Sequence, residues 1–561
     1  MSRDAGALAS AAPRRARVDF WSAVTVGALG VFVLLLVYPL VRLFAASLAG
    51  EDGGVATMLR TYGEFFTRRY YYETLVNSLV VSTLATVLAT LLGAPLAWFV
   101  NRHDIPGKLL LRALIVLTFV SPPFIGAYAW ILLLGRNGVI TGWLAQLGLA
   151  LPPIYGVNGV VLVFTLQALP FVFLMVSAGL KTVDQSVEDA AINLGRRPSA
   201  VALTVVAPLI VPSLATGALL VFVTSLSDFG TPMIIGESFR VLASQIYTEF
   251  VNEHGGNPVV ASALSLILLA ITVGALLWQR AWVKKRSYGQ ETVRPLAVRS
   301  LSRGGRVAAT LYVYALVLAA SLPILTIVVS SFLKARGPLI TGEFTLEGYA
   351  NALRLPHALA NTVMLSGVST LLCVAAGALV GYVVARRRGR LVGALDAFSM
   401  VPYAVAGVVM GIAMAVAFGG KPFYLGGTVA ILVAAYFIRR LPYSIRSVAG
   451  MLGQIGTQAE EASVNLGVPP GRTFWRVTVP MVTPALLSGA LLTFATIARE
   501  FSSTVILYSG ATRTLPVEVF AQVLQGNFAS ASVVGTVLIA VSLVPIVILF
   551  RFMARDEDVL L

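Results

Sequence analysis

The sequence predicts an all-α integral membrane protein of about twelve transmembrane helices, arranged as two parallel six-helix repeats. Its 561 residues are 57% hydrophobic and only 12% charged, whereas roughly a quarter of the residues of a soluble domain are charged. Runs such as 157–180 and 532–550 contain no Asp, Glu, Lys or Arg and, at about 20 residues, can cross a hydrocarbon core as helices. A polar stretch that occurs twice divides the chain into the repeats.

The duplicated stretch covers residues 188–222 and 460–494, at a constant offset of 272 residues, and 15 of its 35 positions are identical. Several of the identical residues are Gly and Pro, the residue types that restrict or permit backbone geometry. Upstream, three residues recur at an offset of 284: Asn77, Gly93 and Arg102 match Asn361, Gly377 and Arg386. The chain is therefore predicted to be a fused pseudo-dimer with a translocation path between its halves.

Twelve apolar segments are predicted to span the membrane. They are 20–47, 74–100, 111–135, 157–180, 205–226, 258–279, 307–332, 360–385, 393–418, 425–438, 477–498 and 532–550. The first span follows Arg14, Arg15 and Arg17 and is interpreted as a retained anchor, because its apolar run is too long for a cleaved signal. Since each half holds an even number of spans, a pseudo-twofold axis along the membrane normal relates the repeats.

Charge predicts the orientation of the chain. When the spans alternate, the segments assigned to the cytoplasm hold 29 of the 41 Lys and Arg residues and a net charge of +17, against −1 outside. This asymmetry is the positive-inside bias, so both termini are predicted to be cytoplasmic in a multi-pass protein. The predicted units are a first half, 1–283, a basic cytoplasmic linker, 284–306, and a second half, 307–561. A nucleic-acid role would need a soluble basic surface, which is not predicted.

The topology places both copies of the polar stretch in the cytoplasm, between the fourth and fifth spans of each half. We call residues 184–208 the first elbow and residues 456–480 the second elbow. In the first elbow, a short amphipathic helix is predicted over 184–194, with Val187, Ala191 and Leu194 on one face and Glu188 and Asp189 elsewhere.

The ends of these short helices also carry signals. Ser186-x-x-Asp189 and Thr457-x-x-Glu460 fit capping boxes, and Gly195 and Gly467 permit a sharp turn after each helix. A second short helix is predicted before Pro208 or Pro480. Two short helices at an angle, small on one face and acidic at one end, form a knob suited to insertion into another protein. The alternative is a folded cytoplasmic loop without a partner.

The elbows resemble the EAA loop of the inner-membrane permease subunits of binding-protein-dependent ABC importers. That pattern is E-A-A, three residues, G, nine residues, then I-x-L-P. The residues that match it or flank it are Glu188, Asp189, Ala190, Ala191, Gly195 and Pro208 in the first elbow and Glu460, Glu461, Ala462, Ser463, Gly467 and Pro480 in the second. The first elbow departs from the pattern by carrying Asp189 in place of Glu, with Glu188 just before it.

The resemblance implies that each elbow docks into one of two copies of a cytoplasmic ABC ATPase, which would bind ATP and Mg²⁺. This chain is predicted to have no ATP site and no catalytic residue, because neither Gly107-Lys108 nor Gly420-Lys421 is followed by Ser or Thr. It is also predicted to bind no cofactor. No metal site is firmly predicted, since the single Cys and the three His residues are scattered.

Within that family, a chain with two fused halves resembles the ferric-iron importers of the Fbp, Sfu and Hit kind, and the run SLSDFGTPMIIG at 225–236 is similar to theirs. The resemblance implies ferric iron as cargo, a bacterial inner-membrane location in contact with lipid, and a periplasmic or lipid-anchored substrate-binding protein. Thiamine and phosphonate importers share the fused plan, so these cargoes remain alternatives.

A second candidate site is Asp228-Phe229, which coincides with Glu500-Phe501 at the 272-residue offset. Two acids facing a shared axis are suited to passing a hard trivalent cation, which prefers oxygen ligands. The alternative is that they cap the following loop or contact the binding protein.

Two other classes of membrane protein share part of this pattern. A secondary transporter would also have twelve spans, but such folds usually carry charges or broken helices at mid-membrane and have no use for two acidic elbows. A membrane-embedded enzyme would need clustered His, Asp or Ser groups within its spans. A requirement for ATP and for a co-purifying ATPase separates both classes from an ABC permease.

Overall fold

The computed structural model describes residues 20–49, 54–251, 256–285, 294–336, 339–352 and 356–553. The predicted cytoplasmic segment before the first span, the C-terminal end and residues 286–293 of the predicted linker lie outside these described residues. The boundaries of the three predicted units stay predictions.

All regular secondary structure in the first part of the described chain is helical. Its helices are α1 (Phe20–Phe32), α2 (Tyr38–Ser47), α3 (Gly54–Thr67), α4 (Arg69–Arg102), α5 (Lys108–Val120), α6 (Pro123–Leu134), α7 (Val139–Gln146), α8 (Val157–Lys181), α9 (Gln185–Asn193), α10 (Pro198–Val201), α11 (Ala207–Ser227), α12 (Gly230–Ile235), α13 (Leu242–Val251) and α14 (Pro258–Lys284). Two π-helical turns, Val33–Val37 and Ala202–Val206, join α1 to α2 and α10 to α11.

The second part repeats this order. Its helices are α15 (Arg303–Ser330), α16 (Glu347–Ala352), α17 (Pro356–Arg386), α18 (Arg390–Ala404), α19 (Gly407–Phe418), α20 (Val429–Gln454), α21 (Gln458–Asn465), α22 (Pro470–Thr473), α23 (Val479–Met481), α24 (Thr483–Ala498), α25 (Thr504–Leu507), α26 (Leu515–Leu524) and α27 (Phe528–Met553). A π turn, Phe474–Thr478, follows α22, and a short 3-10 turn, Gly510–Thr512, follows α25. Strands β1 (Leu333–Arg336) and β2 (Leu339–Phe344) form one antiparallel pair. The all-α prediction is confirmed apart from this pair.

Nine spans of the described chain are helical, long and apolar enough to cross a membrane, and two bent helix pairs raise the number to eleven. The predicted third span, 111–135, is wrong as a single helix, because α5 ends before an extended Ser121-Pro122 step and α6 begins at Pro123. A residue before proline is disfavoured in the helical region. The ninth predicted span, 393–418, divides at the equivalent place into α18 and α19, which meet at 110°. The eleventh is bent by 73° between α23 and α24.

The tenth predicted span, 425–438, ends too early. Helix α20 continues to Gln454 and therefore contains Arg439, Arg440 and Arg446, which the charge count assigned to the cytoplasm. Because it contains these arginines, α20 is not one of the apolar spans counted above. Each arginine pairs with an acid: Arg439 and Arg440 with Glu500, and Arg446 with Asp396. Paired charges allow a helix to continue through an otherwise apolar environment.

The halves interlock through their first helices. Within the first half α4 packs on α8 and α11, and within the second half α17 packs on α20 and α24. Helix α1, however, packs on α17 and α18, α2 packs on α19, and α15 packs on α5 and α6. The first helix of each half thus lies against the other half, which the sequence did not predict.

The repeated glycines Gly93 and Gly377 permit the closest of these packings. A Cβ atom at Gly93 would lie 2.9 Å from the Cβ atom of Val172, and one at Gly377 would lie 2.4 Å from the Cβ atom of Ser444. Real Cβ atoms do not approach so closely, because interiors are packed at crystal-like density. The glycines therefore fix how near α4 lies to α8 and α17 to α20.

Candidate functional site

Both elbows have the same backbone shape. Helices α9 and α21 end two residues before Gly195 and Gly467, whose φ angles are +85° and +84°. The residue after each glycine closes the helix: Arg196 N donates to Ala191 O at 3.3 Å, and Val468 N donates to Ser463 O at 3.2 Å. A left-handed glycine with this hydrogen bond is a common helix C-cap. The predicted sharp turn is confirmed at both positions.

The predicted capping boxes are wrong. In the first elbow the N-cap is Asp184, whose side chain accepts from Ser186 N at 2.8 Å, and Asp189 instead accepts from Gln185 Nε2 at 2.7 Å. In the second elbow Thr457 is the N-cap but makes no side-chain cap bond. Thr457 has φ −89° and ψ −8°, in the helical region, where an N-cap side chain does not reach the following N–H groups. The glutamate at the expected box position, Glu460, turns toward the rest of the protein.

Glu188 and Glu460 point inward and bind equivalent arginines. Arg102 Nη2 donates to both carboxylate oxygens of Glu188, at 2.8 and 2.6 Å, and these two side chains are only 2% and 1% exposed. Arg386 Nε donates to Glu460 Oε1 at 3.4 Å, and Tyr382 donates to Oε2 at 3.3 Å. The arginines end α4 and α17, so each elbow is tied by a charged hydrogen bond to a long membrane helix.

Each elbow exposes a leucine and an alanine on its outward side, next to polar residues. Leu194 and Leu466, at equivalent positions beside the turn glycines, are 86% and 85% exposed. Ala190 and Ala462 are exposed next to them. Of the acids, Asp189 is half-buried and Glu461 is exposed. The sequence analysis gave this repeated leucine no role of its own, although its identity in both copies was visible.

Residues 294–299, which we call the strap, bind the first elbow. Arg294 N donates to Asp184 Oδ2 at 2.9 Å, Gln185 N donates to Arg294 O at 2.9 Å, and Ala297 N donates to Gln185 Oε1 at 2.8 Å. Arg102 donates to Ala297 O, and Arg299 Nη2 lies 3.1 Å from Glu188 Oε1. The strap belongs to the predicted linker, so the connection between the halves is itself part of the first elbow's support.

The second elbow is supported differently. Arg386 Nη2 donates to two carbonyls of its own approach segment, Ile455 O at 3.0 Å and Gly456 O at 3.3 Å. Trp21 of α1 stacks on Tyr382 at 4.2 Å and meets Phe474 edge-on at 5.1 Å. Thus a polar peptide holds one elbow and an aromatic cluster holds the other.

Replacing Arg299 with alanine is expected to loosen the first elbow, because Glu188 then keeps only its bonds to Arg102. Loss of one part-buried charged hydrogen bond of ~1.5 kcal/mol should speed amide hydrogen exchange in 185–193 about tenfold. The matched control is Arg294→Ala, since Arg294 contacts the elbow through its backbone. Equal exchange in both variants would show that the Arg299 guanidinium does not support the elbow.

Equivalent π turns lie near the end of each elbow. Ala202–Val206 and Phe474–Thr478 lie 272 residues apart and lead into α11 and α23. Such turns are rare and often lie at functional sites. The sequence carried no local signal for them, so they emerged only from the structure.

Asp228 and Glu500 cap the segments that follow them, as the alternative to a cation path predicts. Asp228 Oδ1 accepts from Gly230 N at 2.9 Å and its Oδ2 accepts from Thr231 Oγ1. Glu500 Oε1 accepts from Ser503 N at 3.2 Å and from its hydroxyl at 3.1 Å. Glu500 also binds Arg439 and Arg440. Neither carboxylate is placed as a free ligand for a cation.

Phe229 and Phe501 bring the two halves together. Their rings stack at 5.0 Å with an interplanar angle of 16°, and Phe124 and Phe520 lie 4.5 and 4.7 Å from Phe501. All four rings are at most 5% exposed. The equivalent residues of the repeats therefore meet face to face, as expected for positions on the pseudo-twofold axis, and close the contact between the halves.

Comparison with known proteins identifies the family of this chain. The model of the family "Binding-protein-dependent transport system inner membrane component" matches residues 89–288 and 374–556, one match in each half. This chain belongs to that family. As a member, the permease is a multi-pass transport subunit, and the family description supplies its inner-membrane setting and its dependence on a binding protein.

Two relatives of this permease are named for ferric transport and a third for molybdenum transport. The ferric transport system permease protein FbpB of Actinobacillus pleuropneumoniae is 28% identical and covers 95% of this chain and 79% of its own length. A putative ferric transport system permease protein, FbpB 1, of Haemophilus influenzae is 27% identical over 85% of this chain and 76% of its own. The molybdenum transport system permease protein ModB of Mycobacterium bovis is 37% identical over 29% of this chain and 67% of its own.

Proposed function

We propose that this permease passes ferric iron through the membrane, receiving it from an extracytoplasmic substrate-binding protein and driven by two copies of a cytoplasmic ATPase that bind ATP and Mg²⁺. The relatives that cover most of the chain are named ferric transport permeases. Membership in a binding-protein-dependent family supports the partner outside, and the two elbows support one ATPase contact in each half.

The observation that carries the coupling role is the protruding leucine of each elbow. Leu194 and Leu466 are more than four-fifths exposed beside small alanines. A large apolar side chain held rigidly outward by a capped helix is a typical anchor for a partner's cleft. Because it recurs at the same position of both halves, the partner binds twice.

The buried arginine–glutamate pairs supply a route for movement. When an ATPase shifts an elbow, Glu188 pulls on the end of α4 through Arg102, and Glu460 pulls on the end of α17 through Arg386. Both helices pack along the other helices of their half. Alternating access then consists of the halves moving apart and together across the stacked rings of Phe229 and Phe501.

The double variant Leu194→Asp with Leu466→Asp is expected to lower ATP-dependent uptake of ⁵⁵Fe, and cargo-stimulated ATP hydrolysis, at least tenfold. Placing a carboxylate where an apolar anchor is buried by the partner costs about 2 kcal/mol or more per site. The assay uses vesicles of cells that contain the complete importer. The control is Ser186→Asp with Gln458→Asp, which adds the same charges at exposed positions of the same elbows.

Two results would contradict the proposal. Uptake that needs no ATP would support a secondary transporter. ATP-dependent uptake of thiamine or a phosphonate, with no uptake of ⁵⁵Fe, would retain the importer and replace its cargo.

A further inference from the structure

A cavity of about 360 Å³ lies between helices α3 and α14, beside the first turn of α4. Its volume is within the range of ligand-binding pockets, about 300–1,000 Å³. The residues that line it belong neither to the elbows nor to the stacked rings between the halves. We call it the α3–α14 cavity.

In the second half, the helices equivalent to α3 and α14 are in direct contact. These are α16 and α27, and a Cβ atom at Gly348 would lie 2.8 Å from Val533 Cγ2. Gly348 corresponds to Glu64 at the 284-residue offset described above. Val533 corresponds to Ala263 at an offset of 270 residues. Three identities fix this second register: Asn257, Ala261 and Ser262 recur as Asn527, Ala531 and Ser532.

These two differences explain the cavity. Glu64 is longer than the glycine at its equivalent position and holds α3 away from α14. Ala263 is smaller than the equivalent valine and leaves space on α14, and both residues line the cavity. Protein interiors are otherwise packed at crystal-like density. The space is therefore built into the sequence of the first half, and an occupant of matching chemistry would restore the packing.

The cavity lies at the membrane surface opposite to the first elbow. Tyr71 lines the cavity, and Arg102 holds the elbow at the other end of the same helix. The rise between these two residues is roughly 46 Å at about 1.5 Å per residue, close to the thickness of a bilayer with its headgroups. On α3, Leu59 and Phe66 are 69% and 62% exposed, and their spacing of seven residues places them on one face. An exposed apolar face at this level is typical of a helix in the lipid interface, so lipid can reach the cavity.

The lining of the cavity has an apolar part and a polar part. The apolar part includes Phe65, Val259, Val260 and Leu264. The polar part includes Thr61 and Asn257. The amide oxygen of Asn257 accepts from Val260 N at 3.1 Å, which leaves the amide NH₂ group as a donor. Water alone would leave the apolar part wetted, and hydrocarbon alone would leave the polar part without hydrogen bonds. A ligand with one apolar and one polar end satisfies both.

We propose that the α3–α14 cavity binds one phospholipid of the surrounding membrane. An acyl chain lies against the apolar part, and the ester and phosphate oxygens accept from the donors of Thr61 and Asn257. The lipid fills the space that the contact between Gly348 and Val533 closes in the second half. This inference goes beyond the proposed function and does not depend on the cargo or on the ATPase.

The test is photo-labelling of the purified full chain in lipid nanodiscs that contain a phosphatidylethanolamine with a diazirine in one acyl chain. Ala261, Ala263 and Leu264 are at most 2% exposed, so lipid of the bulk bilayer does not reach them and a label there reports the cavity. Leu277 and Trp278, 57% and 72% exposed on the same helix, give the yield for bulk lipid. The expected result is a label within 257–264 at a yield at least equal to that at these two residues, located by mass spectrometry of the peptides.

Ala263→Leu is expected to lower the label within 257–264 about tenfold, because the larger side chain occupies the space of the acyl chain. The matched control is Ala270→Leu, the same change at an exposed position of the same helix, which should leave the label unchanged. Size-exclusion chromatography of each variant shows that it is folded. An equal loss in the control would overturn the site.

A second variant copies the second half. Glu64→Gly with Ala263→Val introduces the two residues that are in contact there, so α3 can lie on α14 and the label should fall by a similar factor. A wild-type chain without label in 257–264, or a label that survives in both cavity variants, would overturn the proposal.

A diazirine-bearing fatty-acid methyl ester tests the polar part of the cavity. It carries the same acyl chain but no phosphate, so it should label 257–264 more weakly than the phospholipid does. Equal labelling by this ester would overturn the assignment of a phospholipid. Uptake of ⁵⁵Fe is measured separately, so failure of the lipid site leaves the proposed function standing.

Discussion

Arg102→Ala is expected to destabilise the first half by about 3 kcal/mol and to abolish coupling, because it leaves Glu188 buried without its two-oxygen partner. Removing one member of a buried ion pair typically costs about 3–5 kcal/mol, and the remaining contact to Arg299, at 3.1 Å, offsets part of this. The measurements are the unfolding midpoint in detergent and cargo-stimulated ATP hydrolysis with the complete importer.

The equivalent pair of the second half provides the comparison. Arg386 and Glu460 are 12% and 10% exposed and 3.4 Å apart, so Arg386→Ala should cost less, about 1–2 kcal/mol. Replacing both buried groups, with Arg102→Met and Glu188→Leu, should restore stability, since apolar residues can substitute for a buried ion pair. It should not restore coupling, because the charged link to α4 is gone. An unfolding midpoint of Arg102→Ala equal to that of the wild-type chain would show that the buried pair between Arg102 and Glu188 is not formed.

The double variant Gly195→Val with Gly467→Val is expected to uncouple ATP hydrolysis from uptake while membrane insertion stays intact. Both glycines have φ near +85°, where a β-branched residue is strained by ~1–2 kcal/mol. A Cβ atom at either position would meet no atom within 4 Å, so the effect comes from the backbone alone. Relaxing that strain redirects the exposed leucines, and cargo-stimulated ATP hydrolysis should fall at least tenfold.

Asparagine is the matched substitution at these glycines, because it tolerates the left-handed region. Gly195→Asn with Gly467→Asn should retain most of the coupled activity. Unchanged cargo-stimulated hydrolysis in the valine variant would show that the turn geometry is not needed for coupling.

One criterion from the sequence does not separate transporter classes in this protein. Broken helices and charges within spans were expected of a secondary transporter, yet α18 and α19 meet at 110° and α20 contains three arginines. The paired elbows and the family match in each half remain the observations that distinguish an ABC permease.

In the elbows, the sequence predicted correctly those features that depend only on the local backbone conformation. The turn at Gly195 and Gly467 follows from the conformational freedom of glycine, and its recurrence at a fixed offset located both elbows. The sequence separated Leu194 from Glu188 on α9 but left open which of them is buried. Arg102 decides this, since it supplies a buried partner for the carboxylate of Glu188. The match of Arg102 to Arg386 and of Glu188 to Glu460 was a signal that they act as a pair.

The sequence by itself determined the membrane class, the duplication and the left-handed turns, because composition, internal identity and local backbone preference are properties of the chain alone. Only the tertiary structure decided that Glu188 turns inward to an arginine 86 residues away, that the strap binds the first elbow, and that Phe229 stacks on Phe501. It also decided that α20 continues through its arginines. These features depend on which distant groups meet, and the free energy of a buried charge or ring is set by that partner and not by its neighbours in sequence.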